Sequence, residues 1–136
     1  MDAITLQRAM SYEPPTLLIE KFCREHKVSE AKARERFEET KKFLVVCASD
    51  RSVNFSPNEA VDMMWHAFIL CSRDYFRFCE LVGGYIHHQP SERHEHERYI
   101  NTLSALRRTF GKVNGFVWEE KVADCSSCGM CSACSN

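Results

Sequence analysis

The chain has 136 residues, of which 44% are hydrophobic and 27% charged, and its formal net charge is -1. These values are typical of one compact domain with a tail, and they exclude the strongly basic composition with which nucleic-acid-binding proteins attract phosphates. The same charge balance gives no general attraction to an anionic membrane surface.

The N-terminal ten residues carry Asp2, Gln7 and Arg8 among apolar residues, so they lack the continuous apolar stretch of a signal peptide. The sequence contains no run of about 18 apolar residues, and we therefore expect no membrane span. These features predict a soluble, cytoplasmic protein. In that reducing compartment, eight cysteines favour metal binding or redox chemistry over structural disulfides.

Two helices are predicted in the first third of the chain. The first follows Pro14 and Pro15, because proline is well tolerated in a first turn, and it ends near His26. The second begins after Ser29, a typical N-cap residue, and runs to about Cys47. The charged stretch within this second helix is expected to face solvent.

The third predicted helix has the strongest start signal. It runs from Pro57 to about Cys71, with Ser56 as the N-cap and Glu59 completing a capping box. A fourth, shorter helix is predicted over residues 73–82, and two glycines end it. Four apolar residues of the third helix are expected to pack the core: Trp65, Phe68, Ile69 and Leu70.

A fifth, long helix is predicted after Pro90, with Ser91 as its cap and Tyr99 on its inward face. Residues 116–122 are predicted to form a short strand or an extended clasp. The sequence as a whole predicts an all-α fold, a compact bundle of about five helices with a short cysteine-rich C-terminal tail. We place the helical domain at residues 1–122 and the tail at residues 123–136.

Six residues with metal-binding side chains are spread from the third predicted helix to the fifth: Asp62, His66, Cys79, His87, His88 and His96. Asp62 and His66 are four residues apart, so they share one helix face and can converge. Cys79 supplies a thiolate, and His87 and His88 follow the two glycines, where an imidazole could fold back. This donor set predicts a tetrahedral zinc site, with other transition metals such as copper, nickel or iron(II) as alternatives.

Each of these residues also has an ordinary structural role. A cysteine such as Cys79 on an aromatic helix face suits a core, Asp62 suits a surface, and His87 with His88 suits a loop. His96 precedes Tyr99 by three residues and is expected on the same inward face. Three further cysteines in apolar helical patterns are expected to be small buried hydrophobic residues: Cys23, Cys47 and Cys71.

A resemblance to a known family rests on the central segment. Residues 61–70 are VDMMWHAFIL, and they are followed by Tyr75, Cys79, Gly84 and the string IHHQP at residues 86–90. This pattern resembles the glycine-rich domain-containing protein-like family, whose segment has the form D-x-x-W-H-x-x-x-L, Y-x-x-x-C, G and H-H-x-P. The resemblance implies a helical fold and a shared polar site at the matching positions: Asp62, His66, Cys79 and His87 or His88. The chain departs from larger members in lacking long glycine-rich stretches.

The C-terminal tail carries four cysteines at every third residue: Cys125, Cys128, Cys131 and Cys134. Two Cys-x-x-Cys pairs could complete a four-cysteine zinc site, although only Gly129 and Met130 separate the pairs. An iron-sulfur cluster is the competing interpretation, but no proline follows the fourth cysteine. Redox pairing, modification by another enzyme, and a tail that binds soft metals without a fold of its own also stay open.

Three functions are compatible with these features. The first is a small metal-binding module, with a structural or protein-interaction role and zinc as its metal. The second is a metal-dependent enzyme with water in an open ligand position and Tyr75 or Glu59 as a proton-transfer group. The third is a small inhibitor or adaptor that binds a macromolecular partner. Because no hydrolase motif is present, a non-enzymatic role is preferred. The sequence does not determine the oligomeric state.

Overall fold

Seven helices and no strand make up the part of the chain that the computed structural model describes, residues 1–89 and 96–118. In chain order they are α1 Ala3–Met10, α2 Thr16–His26, α3 Glu30–Ser49, α4 Glu59–Leu70, α5 Ser72–Leu81, α6 His96–Phe110 and α7 Gly115–Trp118. The all-α class predicted from the sequence is confirmed. None of these seven helices has the length and apolar character needed to cross a membrane.

Helix α3 is the central element, because α1, α2, α4, α6 and α7 all pack against it. Its C-terminal half has buried residues on most of its circumference, and Phe37, Phe43, Leu44 and Val45 have no exposed surface. A helix that is apolar around most of its circumference is expected in an interior rather than at a surface. The core is therefore built outward from α3, and α4 reaches the surface on its far side.

The connection between α1 and α2 is held by a buried lysine of α3. Lys41 is 1% exposed, and its Nζ donates hydrogen bonds of 2.7 Å to the carbonyl oxygens of Met10 and Tyr12. The same Nζ lies 2.6 Å from Glu38 Oε2. A buried ammonium group is tolerated when its charge and its donors are satisfied in this way. Lys41 thus fixes the N-terminal segment on α3.

Helix α7 is held by the neighbouring turn of α3. Trp118 has no exposed surface, and its Nε1 donates to Glu39 Oε1 at 3.0 Å. Glu39 is 4% exposed and also accepts from Lys42 Nζ at 2.9 Å. The hydroxyl of Tyr99 donates to the carbonyl oxygen of Trp118, which joins α6 to α7. Glu39 therefore anchors the C-terminal end of the described chain.

The start of α4 differs from the prediction. The helix begins at Glu59, and Asn58 rather than Ser56 is its N-cap, with Asn58 Oδ1 accepting from Val61 N at 3.0 Å. Ser56 is engaged elsewhere, because its N–H donates to Thr102 Oγ1 and its carbonyl accepts from the same hydroxyl. The predicted capping box is wrong for this reason.

Three other differences concern the ends of the chain and of α4. Helix α1, which was not predicted from the sequence, has Asp2 as its N-cap, whose side chain accepts from Thr5 N at 2.7 Å. Residues 115–118 are helical, so the strand predicted from Phe116 is wrong over the described part of its range. Leu70 is 66% exposed rather than in the core. Ser91, the boundary at residues 122 and 123, and the four tail cysteines lie outside the described residues.

Candidate functional site

Asp62 and His88 form a polar pair near the surface of α4. Asp62 Oδ1 lies 2.7 Å from His88 Nε2, and the two side chains are 48% and 14% exposed. A carboxylate only accepts hydrogen bonds, so Nε2 of the imidazole must carry the proton. The pair therefore selects one tautomer of His88 and leaves its Nδ1 as an acceptor when the ring is neutral.

The histidine of this pair lies between an aromatic wall and a second histidine. The His88 ring packs against Trp65 with centroids 4.4 Å apart, and the His66 ring lies 5.7 Å away. His66 is exposed and follows Asp62 by one turn of α4. We call Asp62, His66 and His88 the polar corner. Its two α4 members come together as the sequence spacing predicted.

The loop that carries His88 is held in place by buried side chains of α4 and α5. Tyr75 is 1% exposed; its hydroxyl donates to the carbonyl oxygen of Ile86 and accepts from Trp65 Nε1 at 3.0 Å. Cys79 follows Tyr75 by one turn of α5 and is 1% exposed. Burial raises the pKa of both Tyr75 and Cys79, so both stay protonated at neutral pH.

The same loop is also held by Arg51, which follows α3 and donates hydrogen bonds to the backbone of the loop. One guanidinium nitrogen donates to the carbonyl oxygen of Tyr85 at 3.0 Å, and the other to those of Gly84 at 3.0 Å and Val82 at 3.5 Å. The chain turns here through Gly83 and Gly84, whose φ angles of +97° and +145° are strained for residues with a Cβ. Arg51 thus satisfies carbonyl groups that the end of α5 leaves without helical partners.

A groove of about 310 Å³ runs between α2 and α4 and meets the polar corner. Its apolar lining comes from both helices: Leu17, Leu18, Phe22, Met63, Ala67 and Leu70. Leu17 on α2 and Leu70 on α4 are 65% and 66% exposed. Asp62 and His66 line the groove from α4, and His26 lines it from α2. An apolar cavity with a few convergent polar groups is the usual form of a ligand site.

The structure brings together three of the six predicted metal ligands, the members of the polar corner. Cys79 lies in the core beneath the loop, 1% exposed. The His87 ring packs on Tyr85, with centroids 4.8 Å apart, and His96 is exposed at the first position of α6 rather than facing inward. The six residues therefore do not form one cluster.

Metal binding stays a prediction. Within residues 1–89 and 96–118, no group of three or more histidine, cysteine, aspartate or glutamate side chains is arranged to hold an ion. The cysteine tail, the other predicted site, is outside the described residues.

The groove and Arg51 were missed by the sequence analysis, although one signal for the groove was present. Leu17, Leu18 and Ile19 are consecutive, and three consecutive helical positions cannot all face one core. Leu17 is the one left at the surface. No comparable signal identifies Arg51, because its partners are backbone carbonyls more than thirty residues away along the chain.

The sequence of the chain matches the model of a known protein family. The family model described as UCP032817-like matches residues 6–125. No curated protein and no solved structure matches the chain. The resemblance to the glycine-rich domain-containing protein-like family is therefore wrong; it depended on about thirty residues, whereas the match to the other model extends over nearly all of the helical domain. The chain belongs to the UCP032817-like family.

Proposed function

We propose that the chain is a protein-interaction module whose groove binds an apolar segment of a partner protein, with a basic residue of that segment beside Asp62. The observation that carries the proposal is the pair of exposed leucines on opposite walls, Leu17 and Leu70. Exposed apolar side chains that line one concave surface mark binding sites more often than isolated ones do.

The apolar lining supplies the binding free energy. Fully burying a leucine side chain is worth about 1.5–3 kcal/mol relative to leaving it exposed. Leu17 and Leu70 are each about two-thirds exposed, so a partner that covers both gains a large part of this burial free energy from each leucine. An amphipathic helix laid between α2 and α4 would cover both, as in other helix-in-groove complexes.

The charges along the groove indicate the polar part of the partner. Its lining contains one lysine and two carboxylates. Lys21 Nζ lies 3.8 Å from Glu25 Oε2, so these two charges offset each other on the α2 wall. Asp62 is half exposed on the α4 wall and leaves the groove negative when its histidines are neutral. A lysine or arginine of the partner is the complementary group.

Peptide selection tests this proposal. A random peptide library is selected on the wild-type chain and counter-selected on Leu70→Glu, and the enriched peptides are titrated into ¹⁵N-labelled protein. We expect apolar residues at helical spacing with a lysine or arginine, and amide shift changes at Leu17, Ala67 and Leu70. Leu70→Glu should weaken binding by about tenfold or more, the effect of losing one well-packed contact.

Phe116→Glu is the matched control, because Phe116 is 94% exposed on α7 and does not line the groove. This variant should bind the selected peptides as the wild type does. Selection without enrichment, or shift changes confined to surfaces other than α2 and α4, would contradict the groove as a binding site.

A second candidate function, zinc binding at the polar corner, is supported by one observation. Asp62 and His88 already share a 2.7 Å contact, and the exposed His66 lies beside them and can rotate. Water would complete the coordination. The test is the metal content, by elemental mass spectrometry, of protein purified without added metal, for the full chain and for a chain truncated after Asp124. About one zinc per truncated chain that is lost in His88→Ala is the expected result. A metal-free truncated chain would exclude this function.

A further inference from the structure

Arg51 lies outside the groove and the polar corner, yet it binds the loop that carries His88. Its guanidinium group donates to the carbonyl oxygens of Tyr85, Gly84 and Val82, and these contacts extend over more than thirty residues of sequence. No carboxylate is among its hydrogen-bond partners in the described chain. Its bonds therefore act on the backbone of the loop rather than on another charged side chain.

The loop depends on such a contact because its own backbone provides little restraint. After α5, the N–H groups of Gly83 and Gly84 close the last turn, and the chain then continues without regular hydrogen bonds to His88. Two consecutive glycines make this segment intrinsically mobile in the unfolded and partly folded states. A planar guanidinium group with its donors in a fixed fork can hold several carbonyl groups in one arrangement.

The Arg51 contact lies close to His88 along the chain. Tyr85 precedes His88 by three residues, and the hydroxyl of Tyr75 fixes the intervening carbonyl of Ile86. The hydrogen bond between His88 and Asp62 is 2.7 Å long, and a hydrogen bond weakens steeply once its N–H no longer points at the acceptor. Arg51 and Tyr75 thus hold two successive carbonyl groups of the chain that leads to His88, and loss of the Arg51 bond would leave only the second one held and let the direction of the His88 ring change.

We infer that Arg51 is a positioning residue of the polar corner. It holds the backbone of the loop in the position from which His88 donates to Asp62 and keeps a single tautomer. The inference deepens the proposed function, because the polar corner forms the polar side of the groove. Its test uses the protein alone, so it holds or fails independently of peptide binding.

The experiment observes the imidazole nitrogens directly. Protein labelled with ¹⁵N-histidine is studied by long-range ¹H–¹⁵N correlation at a pH above the ordinary imidazole pKa of about 6.5. In the wild type, His88 should show the Nε2–H tautomer with a slowly exchanging proton. In Arg51→Ala the ratio of the two His88 tautomers should move toward equality by about tenfold, the effect of losing one hydrogen bond to a charged group. The signals of His26, on α2, should not move.

Two further variants separate positioning from general stabilisation. Arg51→Lys keeps the charge and loses the fork, so it should give an intermediate tautomer ratio. Arg34→Ala removes an exposed arginine whose Nε bonds Glu30 on α3 at 2.9 Å, and it should leave His88 unchanged. If Arg51→Ala lowers the melting temperature and His88 keeps its single tautomer, the inference is overturned. If Arg51→Ala does not fold, an Arg51→Lys protein with a wild-type His88 spectrum overturns it as well.

Discussion

Lys41 in α3 and Asp62 in α4 are both charged and both paired, but their surroundings differ. Lys41 is 1% exposed and its Nζ contacts two carbonyl oxygens and one carboxylate. Asp62 is 48% exposed, contacts His88 and borders the groove. The first charge is fully engaged by the fold, and the second stays accessible to a ligand. Exposure, rather than pairing, therefore separates a structural charge from a candidate binding charge in this protein.

Lys41→Ala should produce the largest loss of stability among these variants, because Lys41 is the fully buried charge. The carbonyl groups of Met10 and Tyr12 would lose their donor in a buried place, and a cavity would replace the lysine side chain. We expect the free energy of unfolding to fall by about 3 kcal/mol or more, measured by urea denaturation. Lys32→Ala, at an exposed position of the same helix, should change it by about 0.5 kcal/mol or less. Equal losses in the two variants would show that the buried contacts of Lys41 contribute little.

Tyr75→Phe should have an intermediate effect, because Tyr75 connects the buried core to the polar corner. Removing its hydroxyl leaves the carbonyl of Ile86 and the indole N–H of Trp65 without their partner. We expect a loss of about 1–3 kcal/mol in the free energy of unfolding, measured by urea denaturation. Tyr85→Phe, at a position that is 42% exposed, is the control and should be close to neutral. Equal stability of the two variants would contradict the role given to the buried hydroxyl.

Alkaline pH should weaken the core through the same residues. Burial raises the pKa of Cys79 above its ordinary value of 9.0 and that of Tyr75 above 10.0, so the folded state keeps protons that the unfolded state releases. Their stabilising effect is complete below those ordinary values and declines as the pH rises above them. The expected slope is about 1.4 kcal/mol per pH unit for each retained proton. Denaturation series above pH 9 should show it, and Tyr75→Phe should flatten it above pH 10. Identical slopes in the two proteins would argue against Tyr75 as a source.

Asp62→Asn should have the smallest effect on folding, because Asp62 is half exposed. Half-exposed ion pairs contribute about 1 kcal/mol or less, so the free energy of unfolding should change by no more than that. The selected basic peptides should nevertheless bind about tenfold more weakly, as measured by calorimetry. Glu25→Gln, on the opposite wall, should weaken them less, because its carboxylate faces Lys21. A loss of stability as large as that of Lys41→Ala would place Asp62 among the structural charges.

The helical class was predictable from the sequence, whereas the start of α4 depended on a distant contact. Ser56 and Asn58 are both good N-cap residues, so local sequence does not choose between them. The hydroxyl of Thr102, 46 residues further along, binds both backbone groups of Ser56 and leaves Asn58 to cap the helix. Helix α1 escaped prediction because it is short, and its stability comes from packing on α3 and α5.

The candidate site was predictable only in part, for a related reason. Asp62 and His66 converge because helix geometry fixes their spacing, and a sequence shows that directly. Cys79 shares a helix face with Tyr75, and that face turned out to be buried against the loop. The choice of His88 rather than His87 as the partner of Asp62 is decided by the backbone path after Gly84, which no local pattern specifies.

Glu39 and Lys41 are two residues apart, and between them they hold both ends of the described chain. Lys41 binds carbonyl groups about thirty residues before it, and Glu39 binds Trp118, which lies 79 residues after it. During synthesis, the N-terminal contact can form once α3 has left the ribosome, whereas the carboxylate of Glu39 must wait for α7. Until then this carboxylate can accept from Lys42 of its own helix but not from Trp118. The order in which the ribosome releases the chain thus sets the order in which these two contacts can first form.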